Sequence, residues 1–349
     1  MTQKIKNITV KSLAEIKTIS EEEVELLFCS KSDWFVTNKE DQEKWTILKD
    51  KEKKFWNAIE KIKTFFERMK KDAQRDNRKP LLSYDYNFSY IKFPSLMIFK
   101  NMIGKNQIYL SELLDLGENQ SSINFSNCTF YKHVLIMNCN FIKNINFQNC
   151  IFEDTLSISE SQFKNLNFSN SIFEKNITIS TSSFNDGVKF NDAVIKNGII
   201  FDDLHFKDHI NLMIISLEKS EFKNITFEKE ASFGGAKFME DTTFRNCKFN
   251  NFADFTKTLF SKHFFMANVF FHDVYFLETF FLNKLTFVFL KADYFIMRKC
   301  TVSHLKINNS FIKNSDIDRL FIISINGEKK EIIPLSSKQI ADRQTARFL

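Results

Sequence analysis

Glycine and proline are scarce in this chain, with 7 and 3 residues among 349, which excludes a fold built on many tight glycine turns. Long apolar runs are missing too. No stretch of about 18 uncharged apolar residues is present to cross a membrane as a helix, and the first ten residues hold lysines but no apolar block and no small-residue cleavage site. These absences predict a cytoplasmic, soluble protein. The motifs of common chemistry are absent as well: no Walker A loop, no GxGxxG, HExxH or GxSxG, and no CxxC among the 6 cysteines. Nothing cradles phosphate or aligns a nucleophile, so neither a cofactor, a metal nor an enzyme is expected. An excess of one charge is also lacking where it would matter. The net charge is +6, but residues 121–326 hold 22 basic against 21 acidic side chains, which gives no general electrostatic footprint for nucleic acid or for its imitation.

What the chain has in abundance is phenylalanine, 42 residues. From Phe125 onward large apolar residues recur at steps of five and six: Phe125, Phe130, Ile136, Phe141, Phe147, Phe152, Ile158, Phe163, Phe168, Phe173, Ile179, Phe184, Phe190, Ile195, Phe201 and Phe206. The series continues through Phe222, Phe238 and Phe249 to Phe260. Neither a helical period of 3.6 nor a strand period of 2 places such a series on one face. A coil that turns a corner every five or six residues does.

The residue two before each anchor points the same way on an extended segment. After five-residue steps this slot is small: Cys128, Cys139, Cys150, Ser161, Ser171, Ser182, Ala193, Ser220, Ala236, Cys247 and Thr258. After six-residue steps it is mostly branched, as at Val134, Ile145, Leu156 and Ile177. Leu204 breaks the first rule and Ala231, Thr242 and Ala253 the second, so local repacking is expected there.

Segments such as Ser126-Asn127-Cys128-Thr129-Phe130, Gln148-Asn149-Cys150-Ile151-Phe152 and Arg245-Asn246-Cys247-Lys248-Phe249 make the chain resemble the pentapeptide-repeat family, in its variant with alternating five- and six-residue steps. The resemblance covers roughly residues 121–322, with weaker register between Phe264 and Val302. It implies an all-β solenoid, a right-handed quadrilateral β-helix with the anchors and small slots inside. The chain departs from the family in using Cys or Ser where Ala is usual. At about 22 residues per coil and about 4.8 Å per coil, residues 121–326 would form a rod of roughly nine coils and about 45 Å.

The flanks read differently. Residues 1–80 are expected to be an α-helical region, with a capping box at Ser20 and Glu23. A second helix from Asp41 to Asp76 would carry Trp45, Phe55, Ile59, Ile62 and Phe66 on one stripe. That stripe would cap the solenoid edge, with a homodimeric coiled coil through 41–76 as the alternative. Lys61 to Lys79, with 8 basic and 3 acidic residues, reads as a solvated face before a strip for nucleic acid or anionic lipid. Residues 81–120 are expected to supply a first coil, with Phe88, Phe93 and Ile98 as anchors, plus an insertion. Residues 327–349 would form a short C-terminal helical cap, or the start of a tail in a longer protein.

Two constellations invite chemistry. Cys128 and Cys150 fall on adjacent coils of one face, within reach of a disulfide, yet free, buried fillers are the favoured reading. His205 and His209 lie near Asp202, Asp203 and Asp208 without a diagnostic ligand spacing. The leading functional expectation is a non-catalytic scaffold that binds an unidentified protein through flat faces. What the resemblance implies besides is a gyrase-binding imitation of DNA, which the balanced charge disfavours. A soluble regulatory part of a membrane-associated protein is the further alternative.

Overall fold

The computed structural model describes residues 19–38, 41–47, 49–76, 85–99, 122–318, 321–323 and 329–331. Its body is a parallel β-solenoid of about 9 turns. Four columns of anchors run along it and define four sides. Side A stacks Phe125, Phe147, Phe168 and Phe190. Side B carries Phe130, Phe152, Phe173 and Ile195 in register. Side C carries Ile136, Ile158, Ile179 and Phe201, and side D Phe141, Phe163, Phe184 and Phe206. All of these anchors are buried, as are Phe222, Phe238, Phe249 and Phe260 further down. The columns continue through the stretch where the sequence pattern weakens, by way of Phe281, Phe287, Ala292, Met297 and Val302. Phe264 is not an anchor there; it fills the slot above Met266 on side C.

The scarcity of glycine has its explanation at the corners. Asn127, Asn138, Asn149, Glu160, Asn170 and Thr181 all have left-handed backbone, with φ between 45° and 61°. Such residues recur every ten or eleven positions, before sides B and D. Asn and Asp tolerate this conformation better than other residues that carry a Cβ, and here they do what glycine does elsewhere. Several corners ahead of side B are β-turns: the amide of Cys128 donates to Phe125 O at 3.2 Å, and that of Ser171 to Phe168 O at 3.2 Å.

Those turn carbonyls also explain why Cys, Ser and Thr replace Ala in the slots. Cys150 Sγ donates to Phe125 O at 2.9 Å, Ser171 Oγ to Phe147 O at 2.7 Å and Thr258 Oγ1 to Phe233 O at 2.9 Å. Ser171 Oγ additionally accepts from the Cys150 amide at 3.0 Å. The slot residue of one coil thus ties down the corner of its neighbour, and a buried carbonyl gains a second donor.

Core volume is balanced within each coil. Where Phe233, Phe238, Phe244 and Phe249 occupy all four anchors, the four slots are Ala231, Ala236, Thr242 and Cys247. Where the anchors shrink to Leu212 and Leu217, the slots grow to Ile210 and Ile215. The departures from the slot rule at Ala231 and Thr242 are therefore compensations that keep the interior close-packed. Leu204 is buried in the coil whose side B anchor is Ile195 rather than Phe.

The N-terminal flank caps the first coil. Helix α1 (Glu21–Phe28) opens on the expected capping box: Ser20 Oγ accepts from the Glu23 amide at 3.3 Å, and Glu23 Oε2 from the Ser20 amide at 2.8 Å. A short helix α2 (Lys31–Trp34) leads into a departure from expectation. Residues Phe35–Asn38 and Asp41–Ile47 form an antiparallel hairpin rather than helix, and α3 begins only at Lys49 and runs to Arg75. A helical stripe that includes Trp45 is thus cut short by strand pairing, a tertiary outcome that local periodicity does not report.

On α3, Phe55, Ile59, Ile62 and Phe66 are buried, and the Phe55 ring meets Phe93 of the first coil edge-on at 5.5 Å. Lys70 reaches Asp85 at 3.0 Å, and Lys61 pairs with Glu23 at 2.6 Å, so part of the basic strip is neutralised within the cap. The first coil pairs side by side with the second through Phe93 and Phe130 and through Ile98 and Ile136. At the far end, Phe321–Ile323 pairs antiparallel with Lys329–Glu331. The expected insertion at 99–120 and C-terminal helix within 327–349 fall almost wholly outside the described residues.

A shallow polar groove on side D

Residues that flank each anchor point outward, and the parallel register sets them in ladders. On side D, Gln162, Ser183, His205 and Thr226 stand one below another. The adjoining corner column holds Glu160, Thr181, Asp203 and Asn224, each with left-handed backbone. Together they line a shallow, open groove of about 430 Å³. Its wall is regular because the corner conformation repeats, not because side chains converge.

Of the histidine and aspartate cluster, only His205 and Asp203 line the groove together. His205 Nε2 lies 3.0 Å from Glu228 Oε1, and Asn250 Nδ2 also donates to Glu228, at 2.7 Å. The Asn250 hydrogen bond first, and His205 second, hold the Glu228 carboxyl below its usual range. His209 instead sits beside Asp208, with Nδ1 3.3 Å from Oδ1. Asp202 accepts from Lys223 at 3.0 Å and from Asn224, at the groove's corner column, at 2.8 Å. Successive outward residues on a square coil project from different sides, which separates neighbours in sequence. Among the described residues no three His, Cys, Asp or Glu side chains are grouped to hold a metal ion.

The cysteines are free. Cys128 and Cys150 do stack in adjacent coils, each donating to a backbone carbonyl. Burial pushes the Cys128 and Cys150 thiols well up, and raises Cys247 to about 12 and Cys300 to about 11. A buried thiol of that kind is a weak nucleophile. Cys139, Ser161, Ala193 and Ala236 occupy equivalent buried slots.

A second set of outward ladders was not anticipated from the sequence. Asn124, Asn146 and Asn167 on side A pass hydrogen bonds down the rod, Nδ2 to Oδ1, at 2.9 and 3.0 Å, and each Oδ1 also accepts from the amide two residues on. The signal was present as an Asn one position before successive side A anchors. On side B, Ile151, Ile172 and Val194 form an outward branched stripe.

A closed stack of four-sided coils with side chains displayed in ladders defines a repeat scaffold of the β-solenoid class. The family model described as pentapeptide repeats (9 copies) matches residues 125–172 of the chain, in keeping with a β-solenoid of the pentapeptide-repeat type. No curated protein and no solved structure matches it. Among the described residues no helix is long and apolar enough to cross a membrane.

Proposed function

We propose that the protein is a non-catalytic scaffold that binds a protein partner along side D. The observation that carries this reading is the groove over Gln162, Ser183, His205 and Thr226. It presents hydroxyl, amide, imidazole and carboxylate groups at a fixed rise, on backbone that is already fully paired. A pre-ordered surface loses little entropy on binding, and an extended, polar segment of a partner matches its spacing. The dimer through 41–76 is a weaker reading, because Phe55, Ile59 and Phe66 are already covered within one chain.

The test is affinity capture from the native host with wild-type protein and with a Ser183→Arg/Thr226→Arg variant. A partner retained by the wild type and lost by the variant is expected; equal retention would remove side D from the reading. The gyrase-binding reading would require a continuous negative stripe, and the 22 basic and 21 acidic residues of 121–326 do not favour one.

A further inference from the structure

The near balance of charge along the rod hides an asymmetry. Residues 121–273 hold 15 basic and 17 acidic side chains, whereas residues 274–314, the last two full coils, hold 6 basic and 2 acidic. The same two coils expose large apolar side chains: Phe280, Leu282, Phe289, Tyr294 and Phe311, at 45 to 61% of their full surface. Exposed aromatic area of this density marks a contact surface rather than ordinary surface composition.

The cations are not evenly placed around the coil. On side A, Arg298 pairs with Asp316, and Lys299 lies 3.4 Å from Glu278. Lys284 and Lys306, at the B–C corner and on side C, and Lys291 and Lys313 on side D hold no carboxylate among the described residues. Phe289 lies at the C–D corner between them, and Lys291 stands in register with Phe311. Sides C and D therefore offer unpaired lysines interleaved with projecting aromatic rings.

We infer that sides C and D of the last two coils dock on the surface of an anionic lipid bilayer. The combination selects this occupant. Aromatic rings enter the headgroup region while lysines reach lipid phosphates on long stems. A second copy of the same surface would set lysine against lysine. A nucleic-acid strand would leave most of the apolar collar, which extends around to Phe280 and Leu282, without a partner.

The experiment is sedimentation of the full chain with phosphatidylcholine vesicles and with vesicles containing one third phosphatidylglycerol, at 0.1 M salt. Binding to the anionic vesicles alone is expected, weakened at least tenfold by Phe289→Ser/Phe311→Ser and by Lys291→Glu/Lys313→Glu. Ile200→Ser, an exposed apolar change on side C far from these coils, should bind as the wild type does. Thermal melting of each variant separates lost docking from lost fold. All four positions point outward, so melts within a few degrees of wild type are expected. Failure to bind either vesicle, binding unaffected by both double variants, or binding to a single-stranded oligonucleotide without binding to vesicles would overturn the inference. Because it involves neither His205 nor the groove, its outcome is independent of the side D reading.

Discussion

A Cβ on Gly198 would stand 2.3 Å from the carbonyl oxygen of Lys219 in the next coil. Gly198 has φ of 133° and sits where the ladder between adjacent coils slips in register after Ile195. Both the backbone conformation and the neighbouring main chain therefore demand glycine there. Gly198→Ala is expected to destabilise the solenoid by about 3 kcal/mol, read as a fall of several degrees in melting temperature. Gly187→Ala meets only the His209 ring, which can swing aside, and should be much milder.

Ile214 is the converse case, a β-branched residue held at φ of 57° with its side chain 60% exposed. Left-handed backbone costs such a residue about 1–2 kcal/mol. Ile214→Asn should raise stability by about 1 kcal/mol, measured as a higher denaturant midpoint. An unchanged or lower midpoint would show that contacts of the isoleucine outweigh the strain.

The slot hydrogen bonds predict an order among substitutions at one site. Ser171→Ala leaves the Phe147 carbonyl and the Cys150 amide each one partner short and should cost about 1–3 kcal/mol. Ser171→Cys, which retains a donor of the kind seen at Cys150, should cost less. Phe152→Ala removes a ring stacked between Phe130 at 4.9 Å and Phe173 at 4.6 Å and should cost about 3–5 kcal/mol.

Thiol chemistry gives a further check. Five of the six cysteines are buried and only Cys29 is partly exposed, with burial first and Asp33 second raising its thiol to about 11. At pH 8 an aromatic disulfide reagent should therefore react slowly with native protein, and with all six thiols in guanidinium. The Cys29 rate should climb as pH rises towards its raised value, since thiolate is the nucleophile.

Acid should act first on the cap. Burial alone would raise the Asp85 carboxyl, but the Ser122 amide at 2.8 Å, the Lys70 ammonium and the Ser122 hydroxyl together bring it below its ordinary value. A lowered carboxyl stabilises the fold above its unfolded value, about 3.9, and that contribution fades as pH falls through the folded value. Glu23 follows the same sign, with burial outweighed by Lys61 and Ser20. Protection of α3 amides against hydrogen exchange should thus fall below about pH 4 before that of the coils does. Asp85→Asn should reduce this dependence.

The solenoid was legible because its signal is a period. Phe130, Phe152 and Phe173 repeat at a spacing that only a cornered coil satisfies, and their burial follows from that geometry. The hairpin at 35–47 was not legible, since Trp45 continues a plausible helical stripe and the competing strand pairing leaves no mark in periodicity. The corner role of Asn127, Asn138 and Asn149 was visible as residues but not as a need, because backbone sign is not encoded in hydropathy. The groove on side D was partly legible. His205 stood out by residue type, but its companions Gln162, Ser183 and Thr226 are brought to it only by stacking. The cationic end escaped notice because a block average over 121–326 merges two stretches of opposite sign.

The aromatic columns change sides along the rod. Side B carries Phe130, Phe152 and Phe173 and then Ile195 and Leu217, while side C passes from Ile179 to Phe201 and Phe222. Each layer is thus shaped for neighbours whose anchors resemble its own. Duplicating the layer that spans Phe168 to Phe184 next to itself should lengthen the molecule without harm. Transplanting the Leu212 to Phe227 layer between the first two would lay Leu217 beneath Phe130 and leave a void. The repeats are alike in outline but not interchangeable, so length can grow by copying neighbours and not by shuffling them.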